Sequence, residues 1–477
     1  MADDQDFQVI EYNTPAQAID YRTINKYQFL DDSFEGTGGF SGNPDEISFI
    51  VHSRSETTRK WSERRQRAYY KNMMHPFITA QYQPVFTEQP PKTTVLDSAG
   101  KPYEVDTIYS EWVKNVDGAG LNKNQFNANA CQSSYLKAVA YAVMDKADDM
   151  DEPIVYLQGA ETVDQSMLIV DRFGRLQQIA FIVVDIPKNS DGKTVYRRTI
   201  WTNKDVTVQT TTDDAGKDRD WVTVNQQPLQ IDSMPIHPVF SQQRTDPHNY
   251  LPYPSSSYKI ASINTTLYNV TSERIWHIVQ QALARLVTNA DVESVKDGYS
   301  TAVKLTSLTS TNPTMGYINA DTGIAPNHKE LENDITNDII NLMAEAGVIV
   351  TRMESATEES GRAKAFTFRG MNTKLNNTVA MCVRLDEWMQ NTYKKYNDPT
   401  GRWTSVTTYK TDYSIQDPTT ITDLREVVYV FKELGLIDSV KETVKAIVRQ
   451  YVTNTESYKI VEAEIDDMVI EDSGVLD

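Results

Sequence analysis

At 477 residues, 39 % of them hydrophobic, the chain can bury a sizeable core, and its length suggests roughly two to four lobes. A formal net charge of -19 argues against tight gripping of nucleic acid, which needs Lys and Arg to neutralise phosphate, but not against its passage without gripping. No amino-terminal apolar stretch reads as a signal peptide, and the strongest apolar run, 179–184, is strand-length and followed by Asp185; a protein that stays in the cytoplasm where it is made, with no membrane span, is expected.

Residues 1–43 are polar and acidic with few apolar residues in phase, and the expectation is an extended arm ordered only by its neighbours. From 53 to 70 the chain turns basic: Arg54, Arg59, Lys60, Arg64, Arg65 and Arg67 share a predicted helix with Trp61, Ala68 and Tyr69. This is either a nucleic-acid patch or a solvated or subunit-facing helix. Pro76, Pro84, Pro90 and Pro91 then end the first helical unit. Asp117-Gly118-Ala119-Gly120 follows Trp112, and a helix is predicted through Phe126, Ala130, Tyr135, Leu136 and Val139.

From 153 to 231 the pattern is β, with runs at 167–170, 176–184, 195–201, 206–211 and 221–224 broken by Gly174, Asp191-Gly192 and 213–216; this predicts an antiparallel meander. Residues 235–254 read as a proline-punctuated connection. Ile263, Leu267, Val270, Ile278, Leu283, Leu286 and Val287 predict a helix over about 257–288, on the order of 40 Å long. The stretch after it, 289–327, is rich in Thr, Ser, Asn and Gly.

A second helix carries Leu331, Ile335, Ile339, Leu342 and Met343 on one face and Glu332, Asn333, Asp334 and Asn337 on the other, with Gly347 to stop it. Val348, Ile349, Val350, Thr351, Arg352, Met353 and Glu354 then form a loop without turn residues that needs something to lie against. Ser355 and Glu358 have capping-box spacing and open a long helix with apolar positions at Phe366, Met371, Leu375, Val379, Cys382, Leu385, Met389 and Tyr393. Gly370 inside it costs about 1 kcal/mol relative to alanine and predicts a kink or a close packing contact. On periodicity alone, 329–396 is a helical hairpin in a globular core. Residues 404–414 alternate like a strand, 417–450 read as two helices broken at Gly435-Leu436-Ile437-Asp438, and the end from Glu456 is an acidic, solvated tail.

The two cysteines, Cys131 and Cys382, cannot make a disulfide framework and have no CxxC partner, so both thiols are read as packing residues of a reduced compartment. Gly192-Lys193-Thr194 ends like a nucleotide-binding loop, but position 187, where the motif needs glycine, is Pro187. Gly298-Tyr299-Ser300 is followed by Thr301 and Ala302, so no nucleophile elbow forms. His52, His75, His237, His248, His277 and His328 show no metal-ligand spacing. No catalytic, cofactor-binding or metal residue is assigned, and no enzyme is expected.

Five segments taken in order resemble tailed-bacteriophage portal proteins. They are the Arg-rich helix leading to Pro90-Pro91; Trp112 to Leu121 with its DGxG core; Pro254 to Asn264 with Leu267-Tyr268; Glu358-Glu-Ser-Gly-Arg-Ala-Lys-Ala365 opening a long helix; and Phe431 to Asp438, of FKELGLID type. The resemblance implies an α+β portal fold with a β-rich wing, a two-helix stem, an α/β clip, a long kinked helix and an α-helical crown. It places an arm at 1–52, wing at 53–256, first stem helix at 257–288, clip at 289–328, second stem helix at 329–346, tunnel loop at 347–357, kinked wing helix at 358–397, wing strand at 398–416 and crown with tail at 417–477.

It further implies a homo-oligomeric ring of about twelve subunits at one capsid vertex of the virion. Double-stranded DNA would pass without sequence-specific contact. The terminase large subunit, a head-completion adaptor and the major capsid and scaffolding proteins would be partners. The clip, with Lys296, Tyr299, Lys304 and Tyr317, would be the docking surface, and 348–354 the tunnel loop. Two other classes stay open: a neck or tail adaptor, which would not need the paired stem helices, and a hydrolase with an unfamiliar site, which predicts a pocket.

Overall fold

The computed structural model describes residues 21–43, 47–54, 56–87, 90–103, 107–146, 150–186, 193–212, 221–242, 244–282, 324–346, 348, 361–399, 401–410, 441 and 445, with short strands between 285 and 318. It is a mixed α+β protein in two compact units, Met1–Thr351 with Thr373–Thr411, and Arg352–Asn372 with Asp412–Asp477.

Where an extended arm was expected, the first unit has a buried helix. α1 (Lys26–Glu35) is capped by Asn25, whose side chain accepts from the Tyr27 N–H, and is stopped by Gly36, left-handed at φ 74°, whose N–H donates to the Asp32 carbonyl. Phe29 packs against Tyr21, Phe40, Phe49 and Tyr258, with ring centroids 4.6–6.3 Å apart. These aromatics are too widely spaced to give any one window a helical period, yet together they draw the segment into the core.

Three short helices follow, α2 (Thr58–Arg67), α3 (Met74–Thr79) and α4 (Gln83–Thr87), then β1 (Lys92–Leu96) and α5 (Ile108–Trp112). α6 (Lys123–Lys137) opens with a capping box between Asn122 and Gln125. It ends before Val139, because Ala138 turns left-handed at φ 71° and sends the chain into β2 (Val139–Asp145). A left-handed alanine costs about 1 kcal/mol. The burial of β2 offsets it: every residue from Val139 to Met144 is buried.

β2 is the central strand between β3 (Ile154–Gly159) and β9 (Ile236–Phe240), antiparallel to both. One face of β2, with Val139, Tyr141 and Val143, packs on a second sheet, and the strand also packs on α6, so it reads as a continuous apolar run. β9 lies within the stretch expected to be only a connection. Its Pro238, opposite Tyr141, is tolerated because β9 is an edge strand.

The second sheet is the predicted meander: β4 (Ile169–Val170), β5 (Leu176–Ile186), β6 (Val195–Thr202), β7 (Asp205–Thr212) and β8 (Val222–Pro228), hydrogen-bonded in sequence order and antiparallel throughout. Ile179, Phe181, Trp201 and Val206 form its inner face against the three-stranded sheet.

α7 (Ser255–Ala282) is shorter than predicted, since Arg285–Thr288 forms β10 instead; Leu286 and Val287 fit a strand as well as a helical stripe. Next come β11 (Lys296–Asp297), β12 (Ser300–Thr301), β13 (Val303–Lys304), β14 (Met315–Ile318) and α8 (Ile324–Glu345), which starts ahead of the expected position 329 with Pro326 in its first turn. α9 (Gly361–Asn397) is continuous through Gly370, and β15 (Thr404–Thr408) pairs antiparallel with β1. Among the described residues, the second unit contributes the first turns of α9 with Lys441 and Lys445; the rest of the expected crown and tail lies outside them.

β9 meets α9 where His237 stacks on Trp388, ring centroids 5.6 Å apart. Burial, with Arg384 close by, lowers the His237 pKa from 6.5 to about 4. The unfolded chain therefore takes up this proton first. The stabilisation is fully present above about pH 6.5 and is lost as pH falls towards 4, by roughly 2–3 kcal/mol. His237→Gln should remove that part of the acid sensitivity, read as the change in unfolding free energy of wild type and variant between about pH 7 and about pH 4.5.

Candidate functional site

Ser and Asn side chains, poor helix formers in isolation, fasten α7 to the rest of its unit. Ser257 donates to the Tyr135 carbonyl at 2.7 Å, and the Asn269 side chain accepts from the Val51 N–H at 2.8 Å and donates to the Phe49 carbonyl at 3.0 Å. Ile260, Ala261, Leu267 and Tyr268 are buried beside them. Beyond Ser272 the helix is partly exposed and pairs with α8, antiparallel: Arg274 meets Glu332 at 2.5 Å, and His277 stacks on His328 with centroids 5.3 Å apart.

The predicted apolar stripe of α8 is buried at Ile339 and Met343, while Leu331 is 46 % exposed, as is Ile278 of α7 at 42 %. The outer face of α8 carries exposed Glu330, Asp334 and Asp338 at helical i, i+4 spacing, with exposed Asn333, Asn337 and Asn341 among them.

Two basic residues of α2, Arg64 and Arg65, turn towards their own chain, whereas Arg59 and Arg67 are exposed. Arg64 is 3 % exposed and pairs with Glu56 at 2.8 Å, donating also to Ser272 of α7 at 3.0 Å and to the Val51 carbonyl at 2.7 Å. Lys60 lies over the Trp276 ring and Arg65, also buried, over Trp61. Burial of the two central arginines leaves this helix a smaller exposed basic face than the nucleic-acid patch reading expects.

Of the four residues assigned to the clip, Lys304 and Tyr317 lie on β13 and β14, which flank β10 in one three-stranded sheet, parallel and antiparallel respectively. Lys296 lies on the separate β11–β12 ladder, and Tyr299 is outside the described residues. The described part of the clip is thus β-structure joining the ends of two antiparallel helices.

The expected tunnel loop enters the structure through Val348, which is 2 % exposed; its N–H donates to the Met343 carbonyl at 2.8 Å, the six-to-one bond that closes a helix end. The Val348 side chain belongs to the protein interior. Ile349, Val350, Thr351, Arg352, Met353 and Glu354 lie outside the described residues.

What holds the helix on the far side of that loop is a buried polar seam that sequence periodicity missed. α6 presents Lys123, Asn127, Cys131 and Tyr135 in steps of four, and α9 answers with Asp386, Cys382 and Thr378, also in steps of four. Lys123 Nζ meets Asp386 Oδ2 at 3.0 Å, Asn127 donates to Asp386 Oδ1 at 2.9 Å, the two cysteine sulfurs are 3.5 Å apart, and the Tyr135 and Thr378 hydroxyls are 2.6 Å apart.

β15 joins at one end of the seam: the Tyr409 hydroxyl donates to Asp386 Oδ2 at 2.8 Å, and Lys123 donates to Thr407 Oγ1 at 2.6 Å. Burial pushes the Lys123 pKa down, opposed by Asp386, and burial with the Asp386 charge pushes Tyr409 well up. Both directions mark the cost of leaving any member of the group unpaired.

Between the three-stranded sheet of β2 and the meander lies a cavity of about 370 Å³ lined by Asp145, Tyr156, Arg197, Thr199 and Trp201 with Gln158, Gln227 and apolar neighbours. Its walls hold no histidine, lysine, serine or cysteine. Among the described residues, no group of three or more His, Cys, Asp or Glu is placed to hold a metal ion, and no helix is long and apolar enough to cross a membrane.

No protein-family model and no curated protein sequence matches this chain. Solved structures do. A chain in the neck of an empty gene transfer agent particle, computed with C6 symmetry, is 10 % identical with a TM-score of 0.37, over 87 % of this chain and 90 % of that one. A chain in the virion of the native gene transfer agent particle is 10 % identical with a TM-score of 0.39, over 88 % and 92 %. A chain in the neck of the native particle, computed with C12 symmetry, is 10 % identical with a TM-score of 0.33, over 67 % and 78 %.

Removing one member of the seam should cost far more than replacing it wholesale. Asp386→Ala leaves the Lys123 ammonium buried without a counter-ion and should lower the unfolding free energy by about 3–5 kcal/mol, whereas Lys123→Met with Asp386→Leu should lose less. Denaturant melting of wild type and the two variants checks the order, and an Asp386→Ala variant as stable as wild type would contradict the role given to the seam.

Proposed function

We propose that this chain is a portal protein, about twelve copies of which close into a ring at one vertex of a phage capsid. The observation that carries the reading is the order of elements along the chain: a helical unit, a β meander, an antiparallel helix pair joined through a small sheet, then one helix of 37 residues. In a portal these are wing, stem, clip and the long helix that follows the tunnel loop. The ring is the channel for DNA packaging and ejection and performs no chemistry.

On this reading the acidic row of α8, with Glu330, Asp334 and Asp338, faces the lumen, where carboxylates repel phosphate and let DNA slide. Residues 349–354 form the constriction, rooted by buried Val348; their apolar side chains approach the duplex without binding it, and Arg352 alone makes a salt-screened contact. Lys296, Tyr299, Lys304 and Tyr317 of the clip meet the terminase large subunit during packaging and the head-completion adaptor afterwards. The outer parts of the ring meet the major capsid and scaffolding proteins. Ile278 and Leu331, exposed on the helix pair, supply apolar surface for the neighbouring subunit.

Purified protein should therefore form closed rings of about twelve, with neighbouring numbers present because a heterologous interface closes only if its rotation allows. Native mass spectrometry reads the number directly, and a stable monomer under all assembly conditions overturns the reading.

The loop separates from the core by substitution. Ile349→Gly with Val350→Gly should leave melting temperature and ring assembly unchanged but lower DNA retention in packaged heads, because a floppy loop no longer narrows the channel. Val348→Gly should instead destabilise the fold by about 2 kcal/mol or more. Early melting of the Ile349/Val350 variant would mean that these residues are hairpin core.

A further inference from the structure

We propose that Cys131 and Cys382 are a modification site: an oxidisable dithiol whose disulfide locks α9 onto α6. These are the chain's only two cysteines, 251 residues apart in sequence (382 minus 131), and both fall in the same seam with their sulfurs 3.5 Å apart. They are 1 % and 0 % exposed. Disulfide formation needs the sulfurs to close to about 2.05 Å, roughly 1.5 Å nearer than they stand. The helices are already held in register on both sides of the pair, by Asn127 with Asp386 and by Tyr135 with Thr378.

The oxidant is a small-molecule disulfide. One cysteine thiolate attacks it, forming a mixed disulfide and releasing one small thiol; the second cysteine attacks the mixed disulfide and releases the other. One S–S bond breaks and one forms. The protein gives up two electrons and two protons, and both end on the two small thiols released. The hydrogen bond between the two thiols and burial push the Cys382 thiol well up, so thiolate is scarce while the seam is closed. Oxidation therefore waits for the seam to open, and once made the bond prevents reopening. The site belongs to the single subunit and does not depend on ring formation.

The test uses the full chain and oxidised glutathione as probe. The expected product has lost two hydrogens by intact mass, runs as a single chain on a non-reducing gel, and yields one linked peptide joining Cys131 to Cys382. Its melting temperature should exceed that of the reduced protein by about 5 °C or more. Denaturant below the unfolding transition should speed the linkage. Cys131→Ser and Cys382→Ser should each abolish both the mass change and the melting shift; should a variant fail to fold, the reduced and oxidised wild-type forms still give the comparison. Stable glutathione adducts without linkage, a bond between two chains, or thiols unchanged even in mild denaturant would each overturn the proposal. Ring number measured on the same samples keeps its failure distinct from failure of the portal reading.

Discussion

The pairing of Lys123 with Asp386 inside the fold is the constraint on which the long helix depends. A buried ion pair gains little net stability, because desolvating both charges consumes most of what their attraction returns. Its effect is on register. Asp386 accepts from Lys123, Asn127 and Tyr409 at once, so a slide of α9 by one turn along α6 would leave all three without their acceptor. An apolar seam of the same length would tolerate such a slide far more easily. The helix that leads away from residues 349–360 is thus held in one position at its far end.

The same logic recurs where α7 is anchored. Arg64 and Glu56, both 3 % exposed, tie α2 and the preceding loop to Ser272, just before the helix leaves its buried surroundings. From there to Ala282, α7 has α8 as its partner, held by Arg274 with Glu332 and by the stacked pair His277 and His328. One end of the helix pair is built into the packed part of the first unit and the other ends in short strands. On the proposed portal reading, that division suits a stalk that presents a docking surface and lines a passage with the carboxylates of α8.

The helix pair and the meander were legible in the sequence because each rests on local periodicity: Ile339 and Met343 at a helical step, and the alternation of Ile179 and Phe181 between turn residues. Features resting on contacts remote in sequence were not. α1 is held by aromatics contributed from Tyr21 to Tyr258, β9 is a strand only because β2 offers it a partner, and Leu286 and Val287 satisfy both periods at once. Of the candidate site, Val348 was visible as an apolar residue after a helix stop, but its burial was not, since nothing local distinguishes it from Ile349. The seam left a faint trace, polar residues in steps of four along two helices, that carries meaning only when the two rows face each other.

The most direct test of the account is a reconstruction of the purified assembly by electron cryo-microscopy. A portal should give a closed ring with a central channel, the face of α8 bearing Glu330, Asp334 and Asp338 turned to the lumen, and the channel narrowest at residues 349–354. A ring with that acidic face buried against a neighbouring subunit or turned outward, or particles with no central channel, would contradict the account.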